Sequence, residues 1–334
     1  MNYYRILRLN SLVKSERLKI LGVGLLFLLK KRFLNLFLDP VLVCNFRCMM
    51  CYFSDPDYKP SKERLTEEMI AKVANCFFSS AMRLQIGCGA EPTLYKYNEQ
   101  IIKLAKQHGV PYISFTTNGA LLNYEKVEAL AKAGLDELIL SMHGASKEVY
   151  ETMMPGAKFE ILHEVLSIIS QVKEKYQGLK LRINYTVNPD NLEDLKGLVK
   201  YLDDYRIDVL QVRPIRRLGN SAYSDFDIKR KQKEYSTVVK LLSDTCQQKG
   251  IVSIITGELP SETLYRKRLD IAKYTYCYVS PIHYGDKGFI PDETYYRTFL
   301  KSNGFFKSII KDVFFTRNYK YADTVSFANY DVNV

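Results

Sequence analysis

The strongest constraint on this chain is an alternation of short apolar runs with amphipathic helical stretches, repeated six times between residue 35 and about residue 216. Strands are expected at 36–43, 82–86, 112–116, 137–141, 179–187 and 209–213. Helices are expected from about Thr66, at 98–108 and 124–132, around 147–153 and 158–176, and at about 192–204. Thr66 is a hydroxyl N-cap followed by Glu67 and Glu68, while Gly109 and Gly134 stop two of the helices. In the first strand Pro40 forfeits a ladder donor and is a candidate for the strand's true start. Six βα units predict an α/β fold with parallel strands, a partial (β/α)6 TIM-type barrel, because right-handed crossovers curl such a sheet. Ligands in such barrels gather at the carboxyl ends of the strands. Beyond residue 216 the alternation stops. A charged helix at 229–248, a short strand at 252–256 and a tail rich in Tyr and Phe predict a small C-terminal α+β appendage.

Seven cysteines are spread unevenly over 334 residues, unlike the dense pattern of a secreted disulfide scaffold. Cys44, Cys48 and Cys51 follow the first strand with spacing C-x3-C-x2-C, and neither Cys nor His recurs until Cys76. Clustered thiols in a chain without an export signal point to a reducing compartment and a metal. A structural zinc site takes four ligands, usually as two separated pairs. Three thiolates in one tight loop instead suit three irons of a cubane cluster, whose fourth iron stays open to a small molecule. Cys76 and Cys246 read as structural. Cys88 is either a buried thiol or a neighbour of the pocket.

The net charge of +11 invites a nucleic-acid reading, but residues 1–34 hold eight Lys or Arg against Glu16 alone. The body is therefore near balance and lacks a wide basic footprint, so nucleic acid is not an expected partner. The same segment contains the apolar run 20–29, too short for a bilayer span of about 20 residues. Lys30, Lys31 and Arg32 follow it, where a signal peptide would have a small-residue cleavage site. Two readings stand for this basic amphipathic N-terminal helical segment. It packs on the outside of the domain, or it lies on an anionic membrane surface. The expected localisation is cytoplasmic, with a peripheral position at the inner membrane face as the sharper alternative.

Residues 44–51, CNFRCMMC, resemble the cluster-binding signature of the radical S-adenosylmethionine (SAM) superfamily. Gly89-Ala90-Glu91-Pro92 resembles its Gly-Gly-Glu-Pro motif, with Ala90 replacing the second glycine. Thr116-Thr117-Asn118-Gly119 resembles its Thr-Asn-Gly motif, and Ser141-Met142-His143-Gly144 its Ser-Leu-Asp-Gly motif, with His143 where Asp is commoner. The four sit in register at the ends of successive strands.

The resemblance implies a [4Fe-4S] cluster on Cys44, Cys48 and Cys51, with SAM chelating the open iron. An electron from an external donor of flavodoxin or ferredoxin type would cleave SAM to methionine and a 5′-deoxyadenosyl radical, which abstracts hydrogen from a substrate. By the same resemblance, backbone around Gly89, Ala90 and Glu91 receives the SAM amino group and Ser141 bonds the ribose. Met50 flanks the adenine, chiefly through its backbone. Arg182 is either a carboxylate clamp for SAM or substrate, or a surface ion pair. Asn118 caps the turn before Gly119 or touches substrate. His143 is a pocket-facing acid, base or substrate contact, or a turn residue before Gly144.

The stretch from Cys277 to about Val313 resembles the SPASM or shorter twitch extension of some family members. Gly288-Phe289-Ile290-Pro291 keeps the local pattern, but Asp292 stands where the next cysteine is expected. One thiol holds no cluster, so the extension is expected to shape the pocket without metal. The chain thus divides into a basic segment at 1–34, a radical SAM core at 35–216 and a degenerate extension at 217–334. The expected substrate is a peptide or a carbohydrate- or lipid-linked metabolite. The alternatives are an RNA-modifying enzyme and a catalytically inactive metal-bound binding module.

Overall fold

The computed structural model describes residues 3–216, 221–223, 227–259, 265–284, 289–291 and 295–322; Gly288 and Asp292 lie outside them. Two helices open the chain, α1 (Tyr3–Leu12) and α2 (Glu16–Leu28). The repeat begins with β1 (Leu34–Leu38), α3 (Glu67–Val73), β2 (Ala81–Ile86), α4 (Asn98–Gln107), β3 (Ile113–Thr117) and α5 (Tyr124–Ala133). It goes on with β4 (Glu137–Ser141), α6 (Lys147–Met153), α7 (Phe159–Lys175), β5 (Lys180–Val187), α8 (Leu198–Asp204) and β6 (Val209–Pro214). Past residue 216 come α9 (Gln232–Lys249), β7 (Val252–Ile255), β8 (Tyr265–Lys267), α10 (Ala272–Thr275) and β9 (Tyr276–Ser280). The last elements are β10 (His283–Tyr284), α11 (Tyr296–Ser302), α12 (Phe305–Ile310) and β11 (Lys320–Ala322).

One sheet runs β10-β9-β1-β2-β3-β4-β5-β6-β7, parallel at every step except β10 against β9. This is the curled, open α/β barrel that the repeat predicts, with helices on its outer side. Leucines and isoleucines such as Leu84, Leu138, Leu140 and Leu181 are fully buried in that layer. Local signals work as expected. Thr66 Oγ1 accepts from Met69 N at 3.2 Å, and Gly134 ends α5 at φ 105°.

Two expectations change. The first strand ends at Leu38, so Pro40 lies beyond its end rather than at its start. The run to Val43 is apolar because Val41 and Leu42 are buried there, not because the ladder continues. Nor does the sheet stop at 216. β7 lies parallel beside β6, and β9 lies parallel beside β1. β7 is the short strand expected at 252–256, but its long connection hides its place in the sheet, and β9 escapes a reading based on regular spacing altogether.

The inner side of the sheet is polar near the strands' amino ends. Arg182 of β5 donates from Nη2 to Glu137 Oε2 of β4 and to Tyr4 OH of α1, each at 2.6 Å, and from Nη1 to Gln211 of β6 at 3.2 Å. Tyr4 also bonds Glu137. Arg83 of β2 donates to Tyr3 OH at 3.2 Å and to Ser114 of β3 at 3.1 Å. Tyr3 stacks on Tyr112 with ring centroids 4.7 Å apart. Helix α1 therefore corks the amino-end mouth with two tyrosines. Arg182 is accordingly in a buried ion pair and not a surface one. It is buried and committed to Glu137 near the start of its strand, away from the carboxyl ends where the motifs gather.

Removing one partner of such a pair strands the other charge in the interior. Glu137→Ala is expected to lower unfolding free energy by about 3–5 kcal/mol. Glu137→Leu combined with Arg182→Met should recover much of that loss, as read by urea denaturation.

Candidate metal and cofactor site

The loop after β1 carries the three thiols, each half-buried. It is held from several sides. Within the loop, Cys51 N donates to Cys48 O at 2.9 Å, and Cys44 Sγ accepts from Phe46 N at 3.4 Å. The end of α6 supplies acceptors, with Arg47 N bonding Pro155 O and Met49 N bonding Met153 O, both at 3.0 Å. Gly156 makes this approach feasible. It sits at φ 99°, and a Cβ there would lie 3.2 Å from the Phe46 ring and 3.3 Å from Asn45 O.

Burial pushes all three thiols up, Cys44 to about 11, with Glu91 and Cys51 adding to the effect at Cys44. Buried thiols this reluctant to ionise need a cationic group to displace their protons, as iron does. Among the described residues, no three His, Cys, Asp or Glu side chains converge on a position for a single metal ion. A cubane asks for a more open triangle, because each thiolate takes a different iron. The donor set fits such a cluster.

Glu91, at the end of the β2 loop, is 2% exposed and saturated with donors. Its Oε1 accepts from Thr93 N at 3.0 Å, Thr93 Oγ1 at 2.6 Å and Thr117 Oγ1 at 2.6 Å, and its Oε2 accepts from Asn118 N at 2.8 Å. Burial raises its pKa, and these four donors oppose the rise. Its side chain thus joins the loops after β2 and β3. Asn118 extends the link, donating from Nδ2 to Asn45 Oδ1 at 2.8 Å inside the thiol loop. It also accepts from Ala120 N at 3.0 Å, which makes it the cap of its turn.

Asp39 and Tyr278 are parts of the site that sequence reasoning missed. Asp39 follows β1 and is fully buried. It accepts from Cys88 N at 2.7 Å, Gly89 N at 3.0 Å and Tyr278 OH of β9 at 2.8 Å. Tyr52, just past the thiol loop, donates to Gly89 O at 2.5 Å. The segment around Gly89 and Ala90 is thereby pinned from below, from the thiol loop and from the C-terminal part of the chain. The one sequence signal was an acid placed inside the apolar run from Leu34 to Val43.

Ser141 ends β4 in register with Asn184 of β5. Asn184 Oδ1 is buried and has no hydrogen-bond partner, so an acceptor stands open beside the serine. His143, next along, is 8% exposed and its Nδ1 accepts from Thr186 N at 3.2 Å. Burial, helped by Arg213, depresses its pKa to about 3. Its Nδ1 serves as an acceptor that braces β4 to β5. Gly144 follows because a Cβ there would sit 2.2 Å from Tyr150 N. Met50, within the thiol loop, turns its side chain into the core. Cys76 is buried and bonds Pro291 O, Cys88 lies against Asp39 and Gln85, and Cys277 is buried on β9.

Two outcomes follow from these bonds. Glu91→Gln swaps two acceptors for a mixed amide against four donors, and is expected to cost ~1–3 kcal/mol in urea unfolding. Asp39 titrates near 6 in the fold against 3.8 unperturbed, because burial outweighs its hydrogen bonds. A raised acid pKa stabilises the fold only while protonated, fully below about 3.8 and lost as pH rises through about 6. The stability of the wild type relative to Asp39→Asn should therefore fall by on the order of 2–3 kcal/mol from about pH 4 to about pH 8.

Comparison with known proteins agrees with this geometry. Residues 39–202 match the model of the Radical SAM superfamily. A "Probable GTP 3′,8-cyclase" of Saccharolobus islandicus is 30% identical over 200 residues, covering 58% of this chain and 61% of that protein. One of Sulfurisphaera tokodaii is 28% identical over 179 residues, covering 53% and 54%. The chain thus spans about three fifths or less of the curated relatives it matches. In fold it is similar to Streptococcus suis SuiB bound to S-adenosylmethionine, with TM-score 0.57, 18% identity, and 75% and 59% of the two chains covered. Native anSMEcpe with bound AdoMet gives TM-score 0.51 and 21% identity, covering 66% and 63%. With the thiol loop and the strand-end motifs in one matched segment, residues 39–202 form a domain of the radical SAM superfamily, whose cofactors are a [4Fe-4S] cluster and S-adenosylmethionine.

Proposed function

We propose that Cys44, Cys48 and Cys51 hold the [4Fe-4S] cluster and that the carboxyl-end mouth of the barrel holds SAM against it. When bound, the cluster supplies one electron and one open iron for cleaving SAM to methionine and a 5′-deoxyadenosyl radical, which takes a hydrogen atom from the substrate. The observation that carries this reading is the trio of half-buried thiols on one braced loop, with an orphaned acceptor, Asn184 Oδ1, in register with Ser141.

The remaining groups have defined tasks. SAM's ammonium needs acceptors, which the carbonyls of the segment from Gly89 to Glu91 supply, since the Gly89 and Glu91 N–H groups are already spent on Asp39 and Val43. Ser141 and Asn184 Oδ1 offer hydrogen bonds to the ribose hydroxyls. The Met50 backbone flanks the adenine. Arg182 has no part in this. His143 orients the β4 end by accepting from Thr186 and moves no proton.

The substrate is proposed as a peptide or a carbohydrate- or lipid-linked metabolite. The fold likeness to SuiB, one structure of which is bound to precursor peptide SuiA, is compatible with the peptide class but rests on 18% identity. The cyclase-named relatives match over about 200 residues, which supports the shared core and not a guanine nucleotide substrate. We further propose that residues 217–334 serve as an extension that shapes the pocket without a second cluster. Its β9 brings Tyr278 onto Asp39, and Cys277 beside it is buried.

The test is anaerobic reconstitution followed by dithionite and SAM. The wild type should release 5′-deoxyadenosine, and Cys48→Ala should release at least about a hundred-fold less, since a three-thiol site has no spare ligand. Wild-type protein that binds iron and sulfide yet yields no 5′-deoxyadenosine overturns the reading.

A further inference from the structure

Helix α2 has two apolar faces, one packed on the domain and one exposed. Ile20, Val23 and Phe27 are buried, and Phe27 stacks on Phe305 of α12 with centroids 4.5 Å apart. Leu18, Leu21, Leu25 and Leu28, spaced as one helical stripe, are 61%, 41%, 56% and 65% exposed. Helix α12 and the π-helical turn Lys311–Phe315 lie alongside. A Cβ on Gly24 would sit 3.3 Å from Ile309, and Arg17 donates to Thr316 O at 3.2 Å. That contact sets Phe314 and Phe315, 65% and 79% exposed, on the element next to the leucines. Isolated exposed apolar residues are ordinary, but six on two packed elements form a patch.

The charge around the patch has one sign. Lys14, Lys30 and Lys31 flank α2, and Lys307, Lys311 and Arg317 flank the turn, all exposed. The acids on these two stretches, Glu16 and Asp312, are buried and paired with Lys19 and Lys273. The location is equally consistent. Arg32, just past α2, donates to the carbonyl of Ala81 at 3.1 Å and to that of His108 at 2.5 Å, at and before the starts of β2 and β3. Asp312 bonds Lys273 and Tyr274, just ahead of β9. The patch thus lies toward the strands' amino ends, away from the thiol loop.

We propose that this surface seats the protein on an anionic phospholipid bilayer, lying in the interface with the carboxyl-end mouth left in water. Leucine and phenylalanine side chains enter the headgroup boundary while lysine and arginine meet lipid phosphates. No helix among the described residues is long and apolar enough to cross a membrane, so the contact is peripheral. A second copy of the chain is the poorer occupant, because two such basic rims repel each other. The proposal does not depend on the chemistry at the thiol loop.

Sedimentation with phosphatidylcholine vesicles, with and without phosphatidylglycerol, tests it. The wild type should partition onto the phosphatidylglycerol vesicles at least about ten-fold better, and less so as salt is raised. Phe314→Ser/Phe315→Ser and, separately, Leu21→Gln/Leu25→Gln should each reduce binding about ten-fold with melting temperature unchanged. Both pairs are exposed, on different elements, so a folding defect in one leaves the other to decide. Wild-type protein that stays in the supernatant overturns the proposal. So does binding that survives both double variants, or a concentration-dependent dimer that the same variants dissociate.

Discussion

The architecture of the site hangs on one buried carboxylate. Glu91 takes four hydrogen bonds from two different loops, in surroundings where losing any of them leaves a desolvated donor. That bond set fixes the loop after β2 against the loop after β3, and Asn118 passes the constraint to Asn45 between the first two thiols. The thiol loop has no helix or strand of its own, only a turn at residues 49–50. Its shape is imposed by neighbours, which is how a flexible stretch becomes a preorganised ligand set.

Asp39 adds a second brace of the same kind, and it explains why residues far along the chain matter to the site. Tyr278 lies 239 positions after Asp39, yet its hydroxyl shares the carboxylate that holds Cys88 and Gly89. Through β9 the C-terminal part of the chain becomes part of the barrel wall. The opposite mouth is closed by different means, with Tyr3 and Tyr4 set against Arg83, Glu137 and Arg182. One end of the barrel is corked and polar, and the other is left for ligands.

Much of this was legible in the sequence because local signals and the global fold agree. Strand β4 and helix α6 lie where apolar runs and caps place them, and Thr66 and Gly134 act as their residue types dictate. The thiol spacing was visible because covalent spacing along one loop needs no tertiary knowledge. What stayed hidden depends on long-range pairing. Arg182 reads as an arginine on a strand near a ligand site, and only the fold shows it two residues before Asn184, the register partner of Ser141, with its guanidinium paired to Glu137. Strand β9 follows a long connection, so no repeat announces it, and the strand at 252–256 was legible without its place beside β6. The burial of His143 and its bond from Thr186 depend on a neighbouring strand, and no spacing rule encodes that.

The central claim is that three thiolates gather a cubane with one iron left for SAM. The most direct measurement is the metal and sulfide content of protein purified and reconstituted under strict anaerobiosis, read with its visible spectrum. The account predicts about four irons and four sulfides per chain and a brown colour that dithionite bleaches. A colourless protein holding a single zinc would contradict it.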